Sequence, residues 1–128
     1  MREEPDREQI DRFILDEIDS VPQLEALLLI WNNRPKEWSF EDMAKALYVP
    51  NDIAQIILRD LVTRRLIVEV SGSRGQYAIL AESTEKEVML AALDQTYRRE
   101  LVRISTMIHS KASRAVRDFA RAFRFTKD

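Results

Sequence analysis

The 128-residue sequence predicts a mainly α domain in which a helix-turn-helix precedes a two-stranded β hairpin and one long C-terminal helix. Three observations carry that prediction. Apolar residues recur at spacings of three and four over most of the chain, the signature of helices with one buried face. Both glycines, Gly72 and Gly75, fall in a single turn between two short runs of β-formers. No proline or glycine interrupts the chain from Thr84 to Phe125.

The elements follow in order. Residues 1–8 are charged, contain Pro5 and lack an apolar period, so they are expected to be structureless. Ile10, Phe13, Ile14 and Ile18 mark a first helix. "SVPQ" starts a second: Ser20 caps, Pro22 suits the first turn and Gln23 completes a capping box. Leu24, Leu27, Leu28 and Trp31 are its buried face, and Pro35 bounds it. In "WSFEDM", Ser39 caps a short helix to about Tyr48, with Trp38 packed on Met43 as a hydrophobic staple. "YVPN" then turns the chain, and Asn51 is expected to cap the helix over residues 51–66. "IVEVS" and "QYAIL" flank "GSRG" as a hairpin that must pack on the helices to be stable.

In the last segment Leu90, Leu93, Tyr97, Leu101, Ile104, Ile108, Ala112, Ala115, Phe119 and Ala122 form one apolar seam. Ser83 with Lys86 offers a weak cap and Thr84 with Glu87 a proper capping box, and "STMIHSKAS" is the weakest stretch, the expected place of any bend. Unbroken, residues 84–125 would make a helix about 63 Å long. One protomer is too small to cover that seam. The sequence therefore predicts a homodimer built on Leu90, Leu93, Tyr97, Leu101, Ile104, Ile108 and Phe119. The resulting organisation is a leader (1–8), a domain (9–82) and a dimerisation helix (83–128).

Composition narrows the function. There are no cysteines, hence no disulfide framework and no thiolate metal site. His109 has no second histidine or cysteine to share a metal, and no nucleophile–base–acid order accompanies it. No glycine-rich phosphate loop exists. The expectation is a protein without catalytic residues, metal or cofactor. The polar, acidic start and the short apolar runs, none long enough to span a bilayer, point to the cytoplasm.

The stretch "ALYVPNDIAQIILRDLVTRRLIVEV", followed by a glycine-containing hairpin, resembles the winged helix-turn-helix family of bacterial transcription regulators, in particular its MarR-like and PadR-like groups. The resemblance spans roughly Gln23 to Leu80. Leu47, Ala54, Leu58, Leu61, Leu66 and Ile67 stand where such regulators place buried residues. The family commonly has glycine just before the "LI" pair, where this chain has Arg65. It implies a DNA-reading helix at 51–66, a wing at the hairpin, and terminal helices that build a dimer.

With Ala54, Leu58 and Leu61 inward, helical geometry turns Asp52, Gln55, Ile56, Arg59 and Thr63 outward. In a DNA reader Gln55 suits adenine and Arg59 suits guanine, with Thr63 beside them and Arg74 at the wing tip on a phosphate. Asp52 opposes phosphates but favours the helix dipole. Ile53 and Ile56 are apolar on the same surface, and two isoleucines suit a protein contact better than a groove. Asp60 and Arg64 form an i,i+4 pair. Two partners are thus expected for one helix: double-stranded DNA first, a protein second.

Charge is split along the chain. Residues 1–25 hold nine acids against three arginines, and residues 98–128 hold nine basic groups against three acids. Arg114, Arg117, Arg121 and Arg124 form a basic stripe beside Phe119 and Phe123. Nucleic acid, acidic lipid headgroups or the acidic N-terminal segment of a partner all match it, with pairing inside a dimer the first expectation. The final "AFRFTKD" has the composition of a docking peptide.

Overall fold

The computed structural model describes residues 4–72, 74–80 and 82–125, with the backbone alone for Ala115 and residues 123–125. The expectations for residues 1–3, for the tail beyond Phe125 and for the side chains of Phe123 and Arg124 lie outside the described residues. Among the described residues the order is α1 (Arg7–Glu17), α2 (Val21–Asn32), α3 (Phe40–Leu47), α4 (Asn51–Thr63), β1 (Ile67–Glu69), β2 (Tyr77–Ile79), α5 (Thr84–Arg99) and α6 (Leu101–Phe125).

α1 starts earlier than its apolar period suggests. Asp6 accepts the Gln9 N–H at 2.8 Å, and the Gln9 side chain accepts the Asp6 N–H at 2.9 Å. This reciprocal box, of the kind worth about 1 kcal/mol, brings residues 6–8 into the ordered chain. The expectation of a structureless segment is corrected for residues 6–8.

Ser20 caps α2 as expected, accepting the Gln23 N–H at 3.2 Å. Gln23 turns to the Asp19 N–H, at 2.6 Å, one residue short of the box position. α2 is apolar around most of its circumference and forms the centre of the fold, with Leu24, Leu27 and Ile30 fully buried. Ser39 caps α3, and Trp38 and Met43 are buried in one core with it.

The entry to α4 differs from the expectation. Tyr48 takes a left-handed conformation (φ 58°) and the Val49 N–H returns to the Ala44 carbonyl at 3.0 Å. The turn closes so tightly that Pro50 is the cap, without a side-chain bond, and Asn51 is already the first helical residue. Ala54, Ile57, Leu58 and Leu61 face the core. The helix ends through Arg65, at φ 62°, with the Leu66 N–H bonded to the Leu61 carbonyl at 3.0 Å. The arginine therefore holds the left-handed position that favours glycine.

The hairpin pairs Ile67 with Ile79, Val68 with Ala78 and Glu69 with Tyr77. Gly72 (φ 82°) and Gly75 (φ 78°) supply the positive φ its turn requires. A feature absent from the sequence reading joins it to the helices: Trp38 and Tyr77 form an antiparallel bridge.

The long C-terminal helix is two helices. Glu100 (φ −127°, ψ 44°) ends α5, its N–H bonded to the Thr96 carbonyl at 2.8 Å, and its carbonyl accepts the Ile104 N–H that opens α6. The break falls five residues before the weak "STMIHSKAS" stretch, which is helical. Of the two expected caps it is Ser83 that holds α5, accepting the Lys86 N–H at 3.2 Å.

That break corrects the dimer seam. Leu90, Leu93, Ile104 and Ile108 are all buried inside the one chain, and Tyr97 packs against the same core. The turn at Glu100 lets both helices lay an apolar stripe on α1 and α2, so a lone subunit covers this half of the seam. Leu101 and Phe119 remain exposed.

Candidate nucleic-acid interface

α4 packs its inner face on α2 and α3 and leaves the other open. Arg59 and Thr63 are exposed, Gln55 is half-buried, and the three share one helix face at steps of four. The Thr63 hydroxyl donates to the Arg59 carbonyl at 3.0 Å, so Thr63 turns back on its own helix. Arg74 is exposed on the wing turn between the two glycines. The structure thus joins Gln55, Arg59 and Thr63 in one row and places Arg74 on a separate element.

Only some of the local arginines are available to a ligand. Arg64 bonds Asp60 at 3.0 Å, the Glu17 carbonyl at 2.9 Å and the Asp19 carboxylate. The expected Asp60–Arg64 pair is therefore part of a tertiary anchor. Arg65 bonds the Glu82 carboxylate, whose pKa its hydrogen bond lowers. Neither Arg59 nor Arg74 forms an ion pair with a described residue.

Acidic groups share the surface. Asp52 accepts the neighbouring Ile53 N–H at 2.9 Å in the first turn, where a carboxylate favours the helix dipole. Glu69, which the sequence reading passed over, accepts the Gly75 N–H at 3.3 Å and so ties the wing turn to β1. Burial pushes the Tyr77 hydroxyl above its ordinary pKa; the charge of Glu69, its hydrogen-bond partner, pushes the same way, and Arg59 pulls it back. These three residues connect the outer face of α4 to the base of the wing. Only the strand register, which sets Glu69 opposite Tyr77, reveals the cluster.

Two apolar side chains interrupt the polar face. Ile53 is 41% and Ile56 63% exposed, with Tyr48 95% exposed on the preceding turn.

Elsewhere, His109 is exposed on α6. Among the described residues, no three or more His, Asp or Glu cluster in a way that would hold a metal. None of the described helices is long and apolar enough to cross a membrane.

No family model matches the chain, and no curated protein matches it. A mutant of S. aureus MepR is similar in structure, with a TM-score of 0.51 over 94% of this chain and 89% of that chain, at 15% sequence identity. At such identity the likeness defines the fold. The chain has a winged-helix fold: mostly helical, with a two-stranded antiparallel wing.

Proposed function

We propose that the protein is a winged-helix transcription regulator that binds double-stranded DNA through α4 and the wing. The single observation that carries this reading is the open outer face of α4. A helix-turn-helix fold that buries Ala54, Leu58 and Leu61 leaves Gln55 and Arg59 directed outward with no ion pair to hold Arg59 back. The fold shared with MepR, a MarR-family regulator, supports the same reading. Gln55 and Arg59 read base edges, while Arg74 contacts the backbone. The protein acts as a homodimer, which doubles its phosphate contacts.

The test is a gel-shift titration of duplex DNA at two salt concentrations. Each phosphate contact contributes about −0.9 to the slope of log affinity against log salt. Arg74→Ala is expected to lower that slope by about one per protomer, and Arg59→Ala to relax base preference at a cost of about 1–3 kcal/mol. Absence of binding at micromolar protein in low salt defeats the proposal.

A specific observation favours a second reading. Ile53 and Ile56 are large, apolar and exposed at the leading end of α4, beside Asp52. A protein surface covers such a patch better than a phosphate-lined groove. In this reading the fold is a protein–protein module. The wild-type chain then does not retard duplex DNA at micromolar protein, and Ile53→Ser with Ile56→Ser abolishes recovery of the protein partner.

A further inference from the structure

We propose that Asp19 is a positioning residue through which α6 sets the pose of α4; the consequence for DNA rests on the reading of α4 given above. Asp19 lies in the short link between α1 and α2. One of its carboxylate oxygens accepts Lys111 Nζ of α6 at 3.0 Å, and the other accepts the guanidinium of Arg64, the residue that ends α4. Both cations also bond backbone carbonyls where α1 passes into this link. Lys111 donates to Ile18 at 2.9 Å, and Arg64 to Glu17 at 2.9 Å. These carbonyls lie at the C-terminal end of α1, where the helix dipole favours positive charge.

The contact extends into a closed circuit. The Asp19 N–H donates to Gln23 Oε1 at 2.6 Å, and the Gln23 amide donates to the Asp60 carboxylate. Arg64 Nε donates to the same Asp60 oxygen at 3.0 Å, and its guanidinium returns to Asp19. Gln23 is buried while Asp19 is exposed, so the circuit runs from the surface to the edge of the core. Lys111 is where α6 enters it.

Exposed ion pairs taken singly contribute little. Here the arrangement matters more than any one pair. Lys111 on one oxygen holds the Asp19 carboxylate in the orientation in which its other oxygen meets Arg64, and this ordering outweighs the repulsion between the two cations. Loss of either partner changes how Asp19 holds the other. A displacement of α6 at Lys111 therefore reaches the last turn of α4 through one shared acceptor.

The experiment compares Lys111→Met, Lys111→Arg, Asp19→Asn and the double variant Asp19→Asn/Lys111→Met by amide hydrogen exchange in the full chain. Lys111→Met is expected to speed exchange at residues 60–64 about three- to tenfold while the central amides of α2 keep their rates. Lys111→Arg restores the slow rates. In the Asp19→Asn background, Lys111→Met adds less than about twofold, because coupled residues are not additive. Unchanged exchange at 60–64, full multiplication in the double variant, or parallel acceleration of α2 each overturns the proposal. The same variants are titrated with duplex DNA. Failure of the wild-type chain to bind would remove the function assigned to α4, while the exchange rates would still decide the coupling.

Discussion

Trp38 and Tyr77 exchange two backbone hydrogen bonds, Trp38 N–H to the Tyr77 carbonyl at 2.9 Å and Tyr77 N–H to the Trp38 carbonyl at 2.8 Å. The segment ahead of α3 is thereby laced to β2, on the side opposite β1. A three-residue strand pair is marginal alone; this bridge and the buried indole fix the wing against the helices. Trp38→Ala removes a ring that is 5% exposed. It is expected to cost about 3–5 kcal/mol, measured by urea unfolding. A loss below about 1 kcal/mol would show that the ring does not seat the wing.

Arg65 offers the opposite sign. A non-glycine residue at left-handed φ costs about 1–2 kcal/mol, and the ion pair with Glu82 is exposed and returns little. Arg65→Gly is therefore expected to stabilise the fold by roughly 0.5–1 kcal/mol. The urea midpoint should rise with an unchanged slope. A lower midpoint would mean that the Glu82 contact outweighs the backbone strain.

These two positions show what was legible in the sequence. Arg65 stands just before the "LI" pair, where the sequence leads one to expect glycine, and its φ of 62° is the left-handed conformation that glycine favours. The buried faces of α2 and α4 and the hairpin also followed from local period and turn chemistry. The Trp38 bridge did not, because pairing across a gap of 39 residues leaves no periodic trace. The break at Glu100 was equally hidden. No glycine or proline marks it; it exists because Leu90 and Leu93 before it, and Ile104 and Ile108 after it, reach the same core only if the chain turns. One seam in sequence became two stripes in space. At the candidate interface the row Gln55, Arg59 and Thr63 was readable from helical geometry. The diversion of Arg64 and Arg65 to Asp19 and Glu82 was not, since those partners come from other elements.

Glu100 also makes a pH dependence. The hydrogen bond from Arg103 is the main cause holding its carboxyl below the ordinary value of 4.5; desolvation and the charge of Asp11 oppose it, and the charges of Arg103 and Arg7 assist. A depressed folded-state pKa means that the unfolded chain binds the proton more readily. The stabilisation is complete above pH 4.5 and is lost as pH falls through the lower folded value. Arg103 is shifted upward by Asp11 and Glu100 and stays charged throughout this window. Calorimetry from about pH 5 to about pH 3 should show Tm falling less steeply in Glu100→Gln than in the wild-type chain. Parallel profiles would place the acid sensitivity elsewhere.

The dimer expectation now rests on the exposed part of α6, where Phe119 of the expected seam adjoins Val116. Val102, His109 and Val116 recur every seven residues, and Val102 and Val116 are 76% and 68% exposed. At about 100° per residue this face lies to one side of the buried pair Ile104 and Ile108, and away from Arg114, Arg117 and Arg121. Those arginines form no ion pair with a described residue. Heptad spacing supplies one of the two positions of a two-helix seam, and the second falls on Ser105, Ala112 and Phe119. A glutamate at Ile108 would unfold the subunit and report nothing about assembly, because that side chain lies in the core. Val102→Glu with Val116→Glu leaves the core intact and charges the seam. Light scattering is expected to give twice 15.0 kDa for the wild-type chain and 15.0 kDa for the variant, with matching far-UV spectra. A wild-type monomer, or a variant that keeps the doubled mass, would rule out this face.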